Sequence, residues 1–360
     1  MRYEERENGT VDQSYMHDIK FNCDVSDAKY WGFYSVCGLL MRYRDLYRSE
    51  MGLQPWADIK REDIAEWITK KESQWPELEQ KDLRDLTIDG KKYHPFDLAE
   101  INHRLREEGL IYGAGYGMYM KPSFFLAELR ATREISGLTV HTSGKEYVRD
   151  LFTSAAMLQG KSIFLRLEPL TMLLMYKFSE LHTRRVSALE DAFAQYGFHH
   201  RQIIDSAFSK RLELMAERYA SVLLSHELAE AMEDIPEWKD ILSSLAGDRR
   251  AEHYIRAVKD LIADTSSHGP YKQIIDTKDR GALSLSIALT EGFRRVLYPE
   301  MKNAHEEFLG SENWSLIEEA RRSGYARFLS KRNAVVDLFK TSRDIEDFKL
   351  KLKDVIQAAA

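Results

Sequence analysis

Cysteine is almost absent from this chain of 360 residues, with Cys23 and Cys37 the only two. That spacing builds neither a CxxC redox pair nor a zinc knuckle, and it excludes a disulfide scaffold. Cys37 lies among Val36, Gly38, Leu39 and Leu40, where a thiol is expected to act as a small buried hydrophobe. Proline (8) and glycine (19) are also sparse, which disfavours loop-rich architectures and favours helices. An excess of one charge is missing too. The net charge of −6 supplies no global field that would draw the chain to nucleic acid or anionic lipid. The longest apolar run, Trp31–Met41, is about half of the ~20 residues that cross a bilayer, so no membrane partner is expected. The opening MRYEERENGT carries no apolar signal core, and a reducing cytoplasm is the expected location.

What is present is a hydrophobic fraction of 44% and a charged fraction of 31%, enough for a sizeable core under a solvated surface. Apolar periodicity predicts a mainly α protein: an N-terminal α+β part over residues 1–150 with a small antiparallel sheet or Gly-rich hairpin, then an all-helical domain over 151–360. A first long helix is predicted within Phe21–Glu50, with Ser26 as its N-cap. A second spans Arg61–Gln74, and a third, Asp97–Glu108, stops at Gly109. Asp89-Gly90 signals a hairpin turn. Glu128, Arg130, Thr132 and Glu134 alternate with apolar neighbours, which predicts a strand over a competing short helix. Gly137 and Ser143-Gly144 are expected turn points, and sheet structure is expected only between residues 86 and 145. Helices should follow from Lys145–Met157 onward, including Asp205–Glu233, Arg249–Asp264 and Gly281–Leu297. The segment DTSSHGPYK (264–272) reads as an interior linker.

The stretch IYGAGYGMYMKPS places Gly113, Gly115 and Gly117 at alternate positions. It lacks the third-glycine spacing of a dinucleotide loop, and no Gly-Lys-Ser/Thr follows, so a phosphate cradle is set aside. A closely approached, bent β segment at a hairpin turn is expected instead, with Gly115 at positive φ.

His226 and Glu230 stand four residues apart, and Glu233 seven from His226, on one helical face. His253, Asp260 and Asp264 share another face at offsets of 0, 7 and 11. Histidine and carboxylates on facing helices suit a divalent metal ion such as Zn, Fe or Mn. With 58 acidic residues in the chain, some such pairs also arise by chance on solvated helices. HExxH and Gly-x-Ser-x-Gly are absent, and Glu100–His103 is a lone Glu-x-x-His. The order His182, His226-Glu227, Asp264 resembles that of HD-type metal phosphohydrolases, with Glu227 where that family has Asp. The resemblance implies His182 as a further ligand. Arginine doublets recur, and Arg185 or Arg249 could grip an anion bidentately. The mixed charge on Asp97–Glu108 argues against nucleic acid as a partner.

Taken together, MHDIKFNCDVSDAKYWGFYSVCGLLMRYRDLYRSE, IYGAGYGMYMKPSFFLAEL, GKEYVRDLFTSAAMLQGKSIFLRLEP and VKDLIADTSSHGPYKQIIDTKDRGALSLSIALTEGFRR resemble a family of uncharacterised bacterial proteins of about this length, found mainly in deltaproteobacteria. The resemblance implies a bacterial cytosolic protein and brings no activity with it. Two function classes stand. One is a metal-assisted, hydrolase-like enzyme for a small anionic or phosphorylated substrate. In it His182, His226, Glu230, His253, Asp260 and Asp264 hold the ion, and Arg185 or Arg249 orients the anion. The other is a non-catalytic regulatory or scaffold protein that binds a protein or nucleic-acid partner and forms a homo-oligomer.

Overall fold

The computed structural model describes residues 14–181, 183, 186–199 and 202–359. Contacts divide the chain into two compact units, Met1–Met175 and Tyr176–Ala360. The first holds α1 (Ser14–Tyr30), α2 (Val36–Glu50), α3 (Arg61–Glu72), α4 (Trp75–Leu78), β1 (Leu86–Ile88), β2 (Lys91–Tyr93), α5 (Leu98–Leu105), β3 (Leu110–Tyr116), β4 (Pro122–Ile135), β5 (Leu138–Arg149), β6 (Ala156–Gln159) and β7 (Ser162–Arg166). Helix α6 (Leu167–Glu180) then leads to the second unit.

The first helix differs from its prediction. Ser26 does not cap; it lies buried inside α1, where it donates to the carbonyl of Pro122. A short 3-10 turn, Trp31–Phe33, breaks the chain, and Ser35 caps α2 by accepting from the Gly38 amide at 3.1 Å. A serine's capping tendency is local, whereas Tyr15, Ile19 and Cys23 extend the apolar stripe upstream onto the sheet. Cys37, expected to be buried, is exposed, and Cys23 is the buried thiol. Helix α2 turns Tyr43, Leu46 and Tyr47 inward instead.

Strands β1 and β2 pair through Asp89-Gly90, both at positive φ, as the turn signal requires. The main sheet is larger than expected, with five strands in the order β3-β4-β5-β7-β6. It is also mixed, because β5 and β7 run parallel. The helix predicted over Lys145–Met157 is absent: β5 continues to Arg149, and β6 begins at Ala156. Ser143-Gly144 lies inside β5, whereas Ser136-Gly137 makes the turn, both at positive φ. Successive residues of β4 face opposite ways. Phe124 and Leu126 pack with α1, and Phe125 and Ala127 pack with Ile111, Met157 and Phe164.

Glycines of β3 serve close packing rather than a turn. Gly113 and Gly115 are strand residues, and the left-handed conformations fall later, on Tyr119 (φ 60) and Met120 (φ 57). A Cβ on Gly113 would meet the Phe125 ring at 2.0 Å, and one on Gly115 would meet Gln159 at the same distance.

Two buried ionic groups anchor the sheet. Lys121 reaches Asp27 at 3.2 Å and Asp150 at 3.3 Å. Arg166 grips Glu146 bidentately at 2.6 and 3.0 Å and lies 4.2 Å from the centre of the Phe125 ring. Glu168 accepts from the Glu146 amide at 2.7 Å, and burial beside the Glu146 charge pushes its pKa up to about 7.

The second unit continues with α7 (Ser187–Gln195), α8 (Ser206–Met232), α9 (Glu237–Ser244), α10 (Arg249–Thr265), α11 (Pro270–Thr277), α12 (Arg280–Leu289), α13 (Gly292–Leu297), α14 (Pro299–Ser311), α15 (Trp314–Thr341) and α16 (Ile345–Ala359). Asp205, Asp248 and Asp279 cap α8, α10 and α12 with their side chains. The predicted helix Gly281–Leu297 is split in two, with Gly292 at φ 57. The expected linker at 264–272 is a tight corner instead. Thr265 and Ser266 are fully buried, and their carbonyls accept from Arg321 at 2.6 and 3.3 Å. Helix α10 packs against α8, α11, α13, α15 and α16. Among the described residues, no helix is long and apolar enough to cross a membrane.

Two outcomes are expected in urea denaturation. Gly113→Ala costs about 1–3 kcal/mol, because the core holds the Phe125 ring in place, and Gly115→Ala costs less, because the Gln159 amide can swing aside. Glu168 has a folded pKa above its ordinary 4.5, so the folded state binds the proton more tightly. That contribution is complete below about pH 4.5 and is lost as pH rises through about 7. Glu168→Gln should flatten this loss and raise stability at pH 8.

Candidate metal centre

In the second unit the i,i+4 spacing on α8 turns His226 and Glu230 to one side, with Glu230 Oε2 3.6 Å from His226 Nε2. Asp260 and Asp264 repeat that spacing on α10, which packs against α8. The Asp264 carboxylate takes His226 Nδ1 at 2.8 Å on one oxygen and Arg294 of α13 at 2.6 Å on the other. Burial opposes the charge on Asp264, but Arg294 and His226 outweigh it and hold the group ionised. An ionised acceptor puts the histidine proton on Nδ1 and leaves Nε2 as the lone-pair nitrogen of the neutral ring. Carboxylate-oriented imidazoles of this kind are typical metal ligands.

His226, Glu230 and Asp260 can each offer one ligand atom, all within 4.8 Å of one another. Lys259 donates to Glu230 at 2.8 Å. Burial works against the Glu230 charge, yet His226 and Lys259 pull its pKa down to about 2. Asp260 is the under-compensated member. Burial raises its pKa, and Arg294 approaches only to 3.9 Å. With no ion bound, burial disfavours the imidazolium, but Asp264 and Glu230 hold His226 protonated. Three cations, His226, Lys259 and Arg294, then balance three carboxylates. A divalent ion would displace the proton on Nε2 and satisfy Asp260.

The sequence pattern names four residues that the fold gathers here: His226, Glu230, Asp260 and Asp264. His253 is not among them; it is exposed, two turns and ~10 Å along α10 from Asp260. Arg249 is exposed as well and ~16 Å along the same helix, so it cannot orient an anion at this cluster. Arg294 occupies the position foreseen for it. Glu233 turns away to accept from Tyr325 at 2.8 Å. The HD-type pairing through Glu227 is replaced by Glu230, one turn further along α8. His182 and Arg185 lie outside the described residues. Gly113, Gly115 and Gly117 lie in the first unit, where each packs closely against a side chain, Phe125, Gln159 and Phe152. Arg294 and Lys259 are the residues that sequence patterns miss. The Arg294-Arg295 doublet was visible, but the break before Gly292 that aims it was not.

Fold and cluster define a class: a sheet-and-helix unit followed by a helical unit whose facing helices gather one imidazole and several carboxylates. The chain belongs to the family of unknown function DUF6866, whose N-terminal domain matches residues 14–166 and whose C-terminal domain matches residues 171–358. No curated protein and no solved structure matches it.

Asp264→Ala strands both His226 and Arg294 in a half-buried setting. It is expected to cost about 3–5 kcal/mol in urea denaturation, against less than about 0.5 kcal/mol for Arg249→Ala at the exposed start of α10.

Proposed function

We propose that the second unit is a metal-assisted, hydrolase-like enzyme acting on a small anionic substrate. The observation that carries this reading is the convergence of His226, Glu230 and Asp260, with Asp264 orienting the imidazole from behind. Three protein ligands leave coordination positions for water and substrate, as catalytic rather than structural sites do. One imidazole with two carboxylates suits Zn, Mn or Fe. A bound divalent ion would lower the pKa of a water ligand and supply hydroxide near neutral pH. Lys259 and Arg294 flank the cluster, and their positive charge favours a carboxylate or phosphate on the incoming molecule. The cluster is only partly buried, with side-chain exposures of 30% for Asp260 and 33% for Arg294, so solvent and a small substrate can reach it.

Titration of the metal-free full chain with Zn²⁺ or Mn²⁺ by calorimetry tests the site. One equivalent should bind. His226→Ala and Asp260→Asn should abolish that binding, Asp264→Asn should weaken it about 10–100-fold, and His253→Ala should leave it unchanged. Hydrolysis of p-nitrophenyl phosphate should follow the metal occupancy. Substoichiometric binding, or binding indifferent to His226→Ala, overturns the reading.

A further inference from the structure

A cleft of about 570 Å³ opens elsewhere in the second unit, lined by α6, α7, α11, α12, α13 and α14. That volume fits a metabolite-sized ligand. It shares no residue with the proposed metal ligands. Its walls include the apolar Leu189, Ile287 and Met301, together with Arg295 and His305.

His305 is held by a buried relay. Ser284 donates to Asp191 at 2.6 Å, and its oxygen meets His305 Nε2 at 2.8 Å. Arg280 grips Asp191 bidentately at 2.7 and 3.1 Å. Burial opposes the Asp191 charge, but Arg280 and Ser284 outweigh it and keep the carboxylate ionised. The single hydroxyl proton of Ser284 is therefore committed to Asp191, and the Ser284–His305 bond must take its proton from Nε2. Burial disfavours the imidazolium, so the ring is neutral and Nδ1 carries a lone pair. No protein group among the described residues occupies Nδ1. A fixed tautomer with a vacant acceptor on the wall of a cleft is how a protein positions a proton acceptor.

The cations of the cleft differ in the same way. Lys177 is committed to Glu180 and Glu291 at 3.1 and 2.9 Å, and Lys302 to Glu306 at 2.5 Å. Arg295 makes no ion pair among the described residues, and its guanidinium fork is open to a carboxylate or phosphate.

We infer that this cleft binds a small molecule carrying a phosphate or carboxylate group and a free hydroxyl, the anion on Arg295 and the hydroxyl donating to His305 Nδ1. The inference is independent of the metal reading, and its test is run with EDTA present so that the two can fail separately. Long-range ¹H–¹⁵N correlation on the labelled full chain at pH 7.5, with His305 assigned through bonds, reports the tautomer and ligand contact together. The proton should be on Nε2. Glycerol 3-phosphate should shift the Nδ1 resonance, with half-saturation at least about tenfold below that of inorganic phosphate or glycerol, which each supply one contact. Arg295→Gln, at an exposed position, should weaken glycerol 3-phosphate about tenfold, or ~1.4 kcal/mol. A proton on Nδ1, no shift with glycerol 3-phosphate, or a response no stronger than that to phosphate alone overturns the inference.

Discussion

The carboxylate of Asp264, shared between His226 and Arg294, is the interaction on which the helical unit depends. Its two oxygens tie α8 and α13 to α10, the helix that packs against most of its neighbours. A carboxylate only 4% exposed needs cations on both sides, and the fold supplies them from two other helices. Buried ion pairs of this kind add little net stability compared with apolar packing, but breaking one is costly. Their effect is to specify register. A slip of α8 or α13 by one residue would leave a charge stranded. The same bond sets the tautomer of His226, so packing and proposed chemistry rest on one contact.

In the first unit the buried charges are arranged differently. Both oxygens of Asp27 share the Leu151 amide proton, and Asp150 accepts from the amides of Phe124 and Phe152. Lys121 fills the remaining space between them and also donates to Ser26 at 2.8 Å. Arg166 and Glu146 satisfy one another. These groups are tied to one another and to backbone amides, and burial still pushes the Asp27 carboxyl up to about 6. Among the described residues, the helical unit holds the under-compensated Asp260, a His305 Nδ1 with no protein partner and an Arg295 that makes no ion pair. Both proposed sites lie in the helical unit.

Much of the fold was legible because it rests on local periodicity. The long helices from Asp205 onward declared themselves through apolar spacing, and Asp89-Gly90 fixed its hairpin through backbone sterics alone. The errors share one cause. Ser26 and Lys145–Met157 were judged from near neighbours, but Ser26 bonds to Pro122 and Val148 and Arg149 pair with β4, 22 to 96 positions away. The parallel pairing of β5 with β7 has no local signature. For the candidate site, i,i+4 spacing showed that His226 with Glu230, and Asp260 with Asp264, share faces. It could not show that those faces meet, that His253 points outward, or that Arg294 closes the set.

The sequence by itself determined which residues share a helix face, that Asp89-Gly90 turns at positive φ, and that HExxH and Gly-x-Ser-x-Gly are absent. Those properties follow from sterics and periodicity within a few residues. Only the tertiary structure decided which faces meet, which glycines are needed for close approach, and which groups fix the rings of His226 and His305. Each of those depends on a partner brought in by folding: Phe125 against Gly113, Asp264 against His226, Ser284 against His305.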